Sequence, residues 1–127
     1  MIEFVIDSSA VLADLRGEPG GAVARELTGA SAISAVNLSE VIAKLIELGA
    51  DVEAAEGLSA QLEYEVLDAD QARAKRAGRL HSRTQKRGVS LGDRFCIALA
   101  EELNLPLITA DRHWQALDLS VEVRLIR

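Results

Sequence analysis

Short apolar runs alternate with longer stretches of helical spacing, and this pattern predicts most of the secondary structure. Residues 3 to 7 read as a buried strand, with Asp7 at the end of the apolar run Ile2-Glu3-Phe4-Val5-Ile6, and Ser8-Ser9 offers N-cap chemistry for a helix through about Leu15. Gly17-Glu18-Pro19-Gly20-Gly21 breaks that helix. A second helix is expected from about Ala22 to Leu27, closed by Thr28-Gly29 ahead of the strand candidate Ser31-Ala32-Ile33-Ser34. From Val36 to Leu48 the apolar positions Leu38, Val41, Ile42, Leu45 and Leu48 follow helical spacing, with Gly49 as the stop.

Asp51 can cap a helix reaching about Leu62, and Tyr64 to Leu67 is a third strand candidate. Asp68 to about Gln85 then reads as one long basic helix closed by Gly88, and Leu91 to Leu103 as another helix. Leu107-Ile108-Thr109, entered through Pro106, is a strand, and Val121 to Ile126 alternates enough to be the last one. Five strands joined by helical crossovers imply a parallel sheet covered on both faces, so the expected fold is a three-layer α/β/α domain spanning residues 1–127.

At 127 residues the chain suffices for one core without disulfide staples. Its single cysteine, Cys96, forms no intramolecular bridge and suits a reducing cytoplasm. No signal peptide is recognised ahead of the first strand, and no apolar stretch approaches the roughly 20 residues needed to cross a bilayer, so a cytoplasmic protein without a membrane partner is expected. The formal charge of -6 argues against a polyanionic partner at first sight. Its distribution argues otherwise: Arg73, Lys75, Arg76, Arg79, Arg83, Lys86 and Arg87 form a basic stripe with no acid between Asp70 and Asp93.

In parallel sheets of this kind ligands bind outside the carboxyl ends of the strands. Asp7 and Asp111 end or follow strands, Glu40 lies within two turns of the second strand, and Asp93 opens the helix that feeds the fourth. All four therefore map to one edge. Two carboxylates about 4–5 Å apart repel by about 3–4 kcal/mol at an effective dielectric near 20, so a cluster requires a cation, raised pKa values or a basic partner. With no Cys/His cluster in competition, the favoured ions are Mg²⁺ or Mn²⁺. Each acid also has a structural alternative. Asp7, Asp93 and Asp111 could cap helices, Asp7 could accept a phosphoryl group, and Glu40 could pair with Lys44 on an exposed helical face.

The segments Val5-Ile6-Asp7-Ser8-Ser9-Ala10, Glu18-Pro19-Gly20, Ile33-Ser34-Ala35-Val36-Asn37-Leu38-Ser39-Glu40-Val41, Ser90-Leu91-Gly92-Asp93 and Leu107-Ile108-Thr109-Ala110-Asp111-Arg112 together resemble the PIN-domain ribonucleases, specifically the VapC-type toxins of toxin-antitoxin pairs. The resemblance covers nearly the whole chain and rests on the order and spacing of the pieces. It implies a PIN-like fold and a Mg²⁺- or Mn²⁺-dependent endoribonuclease with Asp7, Glu40, Asp93 and Asp111 as metal ligands and catalytic residues. Ser8, Asn37 and Thr109 are then supporting polar residues. His113 stands where some members carry a further acid. The resemblance also implies a VapB-type antitoxin that commonly covers the site, a toxin homodimer and a toxin-antitoxin hetero-oligomer.

Lys86, Arg87, Arg94 and Arg112 are the candidate RNA contacts, from the end of the basic stripe and from positions beside two of the acids. Trp114 and Cys96 are expected in the core. Two other readings stand beside the nuclease. A phosphoacceptor receiver-like domain shares the length and the strand-end aspartate, but would want a lysine at the end of a late strand, which this chain lacks. A catalytically idle module of the same fold would pair with a protein partner only.

Overall fold

Val5 and Ile6 are adjacent and fully buried, yet they belong to different cores, because successive strand side chains point to opposite faces of a sheet. Leu107 and Ile108 repeat the arrangement on the neighbouring strand. Two buried faces on short strands require helices on both sides, which is the arrangement in the computed structural model, describing residues 1–85 and 87–127. Among the described residues the strands are β1 (Phe4–Ile6), β2 (Ser31–Ser34), β3 (Glu65–Leu67), β4 (Leu107–Thr109) and β5 (Val123–Leu125), all parallel, in the order β3-β2-β1-β4-β5.

The helices are α1 (Ser8–Leu15), α2 (Gly21–Leu27), α3 (Ala35–Glu47), α4 (Val52–Ala60), α5 (Gln71–Arg79), α6 (His81–Thr84) and α7 (Leu91–Leu103), with short 3₁₀ turns at Thr28–Ala30 and Arg112–Ala116. Residues of α1 to α4, among them Val11, Ala24, Val41 and Ala55, close over Ile6, Ile33 and Ile108. On the other face Ala77 of α5 and Ile97 and Leu99 of α7 pack on Val5 and Leu107, and Trp114 completes that core at 2% exposure. The expected three-layer α/β/α arrangement with a five-stranded parallel sheet is thus the observed one. Its strand order differs from the 2-1-3-4-5 order of receiver-type sheets, so the receiver alternative is set aside.

The cap expected at Asp51 forms, its Oδ1 accepting from the Ala54 N–H at 2.7 Å, and the basic segment begins later than expected, at Gln71, capped by Asp70 Oδ1 accepting from the Arg73 N–H at 2.9 Å. One helix is corrected. The basic segment expected from Asp68 to Gln85 is divided into α5 and α6, because Leu80 is buried and its N–H bonds three residues back, to the Ala77 carbonyl at 3.2 Å. Gly78, a weak helix former just ahead of Leu80, lowers the cost of that tightening.

The α1–α2 turn depends on close backbone approach. A Cβ at Gly21 would collide with the Ala13 carbonyl, whereas one at Gly57, in α4, would meet open space. Gly21→Ala is expected to destabilise the fold by about 1–3 kcal/mol through overpacking, and Gly57→Ala to stabilise it by about 0.5–1 kcal/mol through helix propensity. Urea denaturation of the two variants beside the wild type measures both signs.

Candidate active site

The strand order places a topological switch between β1 and β4: from β1 the chain winds outward through β2 and β3, then returns to the other side with β4 and β5. The crevice outside the carboxyl ends of β1 and β4 is where such sheets bind ligands. Asp7 sits there, 3% exposed, with its N–H donated to the Ile108 carbonyl at 2.8 Å. It occupies the N-cap position of α1, but its carboxylate caps nothing. Instead Oδ2 accepts from the Thr109 hydroxyl at 2.9 Å and from the Ser9 hydroxyl. The Ser9 and Thr109 hydroxyls lie 3.2 Å apart, and Ser9 Oγ also accepts from the Ala110 N–H at 3.0 Å, which ties the start of α1 to the end of β4.

Ser8 lies between two acids, its hydroxyl 3.4 Å from Asp7 Oδ1 and 3.2 Å from Glu40 Oε1. Glu40 takes a second donor, Asn37 Nδ2, at 2.8 Å. The alternative ion pair with Lys44 does not form; Lys44 lies 3.6 Å from Glu47. Asp93 closes a capping box, with its N–H donated to Ser90 Oγ at 3.2 Å and its Oδ2 accepting from the Ser90 N–H at 3.0 Å. Asp111 caps the 3₁₀ turn through the His113 N–H at 2.9 Å, and the exposed His113 ring places Nδ1 3.0 Å from the same oxygen.

Electrostatic coupling traces how the acids sit. Asp7 feels the charges of Asp93 and Glu40, and Asp93 that of Asp111. Burial pushes the Asp7 pKa up to about 6; the Ser9 and Thr109 hydroxyls oppose the rise and the two neighbouring carboxylates add to it. Burial likewise raises the pKa of Asp93. Cys96, on the α7 face below them, is fully buried, and burial together with the charges of Asp7, Asp93 and Glu40 keeps its thiol protonated.

Glu40 Oε2, Asp93 Oδ1 and Asp111 Oδ2 accept no hydrogen bond from the described residues, so each of these acids keeps one oxygen open. Hard oxygen donors beside a carboxylate whose ionisation is opposed by burial and by like charges suit a divalent cation such as Mg²⁺ or Mn²⁺. As the side chains stand, no three Asp, Glu, His or Cys groups among the described residues surround one point, so uptake of an ion by this set entails side-chain rearrangement.

The basic candidates divide. Lys86 lies outside the described residues. Arg87 and Arg112 are exposed, while Arg94 is half-buried with its Nε sequestered and without an acceptor among the described residues. Arg73 and Arg83, from the same stripe, are bound to the protein itself: Arg73 reaches both oxygens of Glu102 at 3.2 and 3.3 Å, and Arg83 pairs with Glu101 at 2.9 Å. Ser9 was not anticipated at the site, since its hydroxyl was expected to serve helix capping. Its placement two residues after a strand-end aspartate was the signal.

The raised Asp7 pKa has a stability signature. Between about pH 4 and pH 6 the folded protein holds a proton that the unfolded chain, with its ordinary value of 3.8, has released. Stability from this group is therefore greatest below that window and falls as pH rises through it, by about 3 kcal/mol at most. In metal-free protein near neutral pH, Asp7→Asn should raise stability by about 1–3 kcal/mol, because an amide oxygen can still accept from Ser9 and Thr109, and should flatten the pH dependence between about pH 4 and pH 6. Chemical denaturation across that range, in chelator, measures both effects.

Comparison with known proteins accords with this geometry. The family model described as PIN domain matches residues 4–119. A search of curated protein sequences returned no significant match. Among solved structures, the chain is similar to a DNA-bound VapBC complex from Salmonella typhimurium at 20% identity and a TM-score of 0.75, covering 100% of both chains. It is similar to VapBC-5, of the VapBC family of toxin-antitoxin systems, from Mycobacterium tuberculosis, at 26% identity and a TM-score of 0.62, covering 97% of this chain and 96% of that one. VapC20 from Mycobacterium tuberculosis, described as a sarcin-ricin loop cleaving toxin, aligns at 21% identity and a TM-score of 0.75 over 95% of this chain and 98% of that one. With a family match that runs from the first strand to beyond the fourth, the chain belongs to the PIN-domain family.

Proposed function

We propose that this chain is a VapC-type toxin, a Mg²⁺- or Mn²⁺-dependent endoribonuclease that acts in the cytoplasm under the control of a VapB-type antitoxin. The observation that carries the reading is the buried Asp7 at the switch point, with Glu40 and Asp93 as charged neighbours and no basic partner among the described residues. The described relatives support it. VapC20 is a toxin that cleaves the sarcin-ricin loop, and other relatives of the same fold come from VapBC toxin-antitoxin complexes.

Asp7, Glu40, Asp93 and Asp111 would hold the ion, which when bound supplies an activated water and stabilises charge on the phosphodiester during in-line attack. Each other residue works on that set or on the RNA. Ser9 and Thr109 fix the Asp7 carboxylate against rotation, and Ser8 sets the gap between Asp7 and Glu40. Arg87 and Arg112 offer exposed cations for the RNA backbone. Neither histidine is needed as a base: His81 lies on α6, and His113 sits on the rim with its ring against Asp111. The products would carry a 5′-phosphate and a 3′-hydroxyl. A homodimer of toxins, bound by antitoxin into a hetero-oligomer, is the expected assembly.

Purified protein freed of any partner should cleave RNA with Mg²⁺ or Mn²⁺ and lose the activity in EDTA. Asp7→Asn and Asp93→Asn should each lower the rate by at least about a hundredfold, the order expected when charge stabilisation in the transition state is removed. Gel analysis of a panel of structured and single-stranded RNAs measures this; metal-independent cutting, or full activity in both variants, overturns the mechanism.

A further inference from the structure

Glu40 stands on a different helix from Asp93. It projects from the second turn of α3, and the chain must bring its carboxylate to α7, which carries Asp93. Two features accomplish that. Asn37, one turn earlier on α3 and fully buried, divides its two amide hydrogens between Glu40 Oε1 at 2.8 Å and the Gly92 carbonyl at 3.0 Å, the second bond crossing from α3 to α7. Gly92 itself leaves the space that the Glu40 carboxylate fills: a Cβ built there would collide with both carboxylate oxygens and the carbon that joins them. Gly92 lies in the first turn of α7 without a positive φ, so its backbone would accept any side chain. The nearest obstruction to a side chain at this position is the carboxylate of Glu40.

We propose that Asn37 and Gly92 are positioning residues that latch the Glu40 carboxylate onto the first turn of α7, and that this latch sets the affinity of the acidic site for a divalent ion. The affinity half of the proposal rests on the nuclease reading above; the latch itself does not. Because the obstruction at Gly92 is the far end of a flexible side chain, Gly92→Ala should fold and simply displace Glu40 from the site. Asn37→Ala acts on the same latch from the other side, but it also empties a fully buried position. Gly92→Ala is therefore the cleaner variant, and Gly57→Ala, where the added methyl meets open space, is the matched control.

Two readouts test this. In metal-free protein, NMR exchange of the Asn37 side-chain amide should be slow in the wild type and in Gly57→Ala, and faster by at least about tenfold in Gly92→Ala as its acceptor on Glu40 departs. In Mn²⁺ titrations by calorimetry, Gly92→Ala should bind about 10- to 100-fold more weakly than the wild type, the range typical for loss of a group that orients a ligand, with circular dichroism unchanged. Cleavage should then need correspondingly more Mn²⁺ for half-maximal rate and recover at saturation, whereas a general structural defect would depress the rate at every concentration. Equal amide protection and equal Mn²⁺ affinity in Gly92→Ala and wild type would overturn the latch. A wild type that takes up no divalent ion would overturn the nuclease reading and the affinity half, while amide exchange would still decide whether the latch exists.

Discussion

A carboxylate taken out of water and given only neutral donors is the constraint around which this fold is arranged, and the chain contains its own contrast. Asp7 and Asp14 are both buried, one at the N-cap of α1 and the other near the end of that helix. Asp14 is compensated by Arg25, whose Nε lies 2.8 Å from its Oδ1. Asp7 is given the hydroxyls of Ser9 and Thr109 instead, which hold its orientation and leave its charge uncancelled. The difference leaves Asp7 without a counter-charge from the described residues.

Helix α7 organises charge along its length. Asp93 stands at its N-terminus, where the helix dipole favours an anion, and joins the acidic crevice. Glu101 and Glu102 stand near its C-terminus, where the dipole disfavours them, and there the basic segment supplies Arg83 and Arg73. At Glu101 burial works to raise the pKa, and the bonds from Arg83 and Ser120 outweigh it, so the group is held below its ordinary value. Part of the basic stripe therefore fastens α5 and α6 to α7, and the exposed remainder, including Lys75, Arg76, Arg79 and Arg87, is the fraction available to a polyanion.

The sheet and the mapping of the acids to one edge were legible because both follow from short-range rules: apolar runs of strand length, capping residues, and the requirement that a crossover helix start at the edge where its strand will end. The break at Leu80 was not legible, since helical spacing continues through it and the tightened bond from its N–H to the Ala77 carbonyl has no strong local signal. Partner choice was equally hidden. Lys44 is correctly spaced to pair with Glu40, and nothing local reveals that Asn37 takes that carboxylate or that Gly92, distant in sequence, clears the space for it. Ser9 was likewise assigned to local capping, when its hydroxyl spans from α1 to the end of β4.

Trp114, the sole tryptophan of the chain, is buried in the second core in the middle of the short turn that Asp111 opens, with its N–H 3.3 Å from the Asp111 carbonyl. Its indole therefore lies in apolar surroundings within one turn of an acid at the crevice mouth. The protein carries an intrinsic fluorophore whose emission reports, without any label, on the segment joining the fourth strand to the rim.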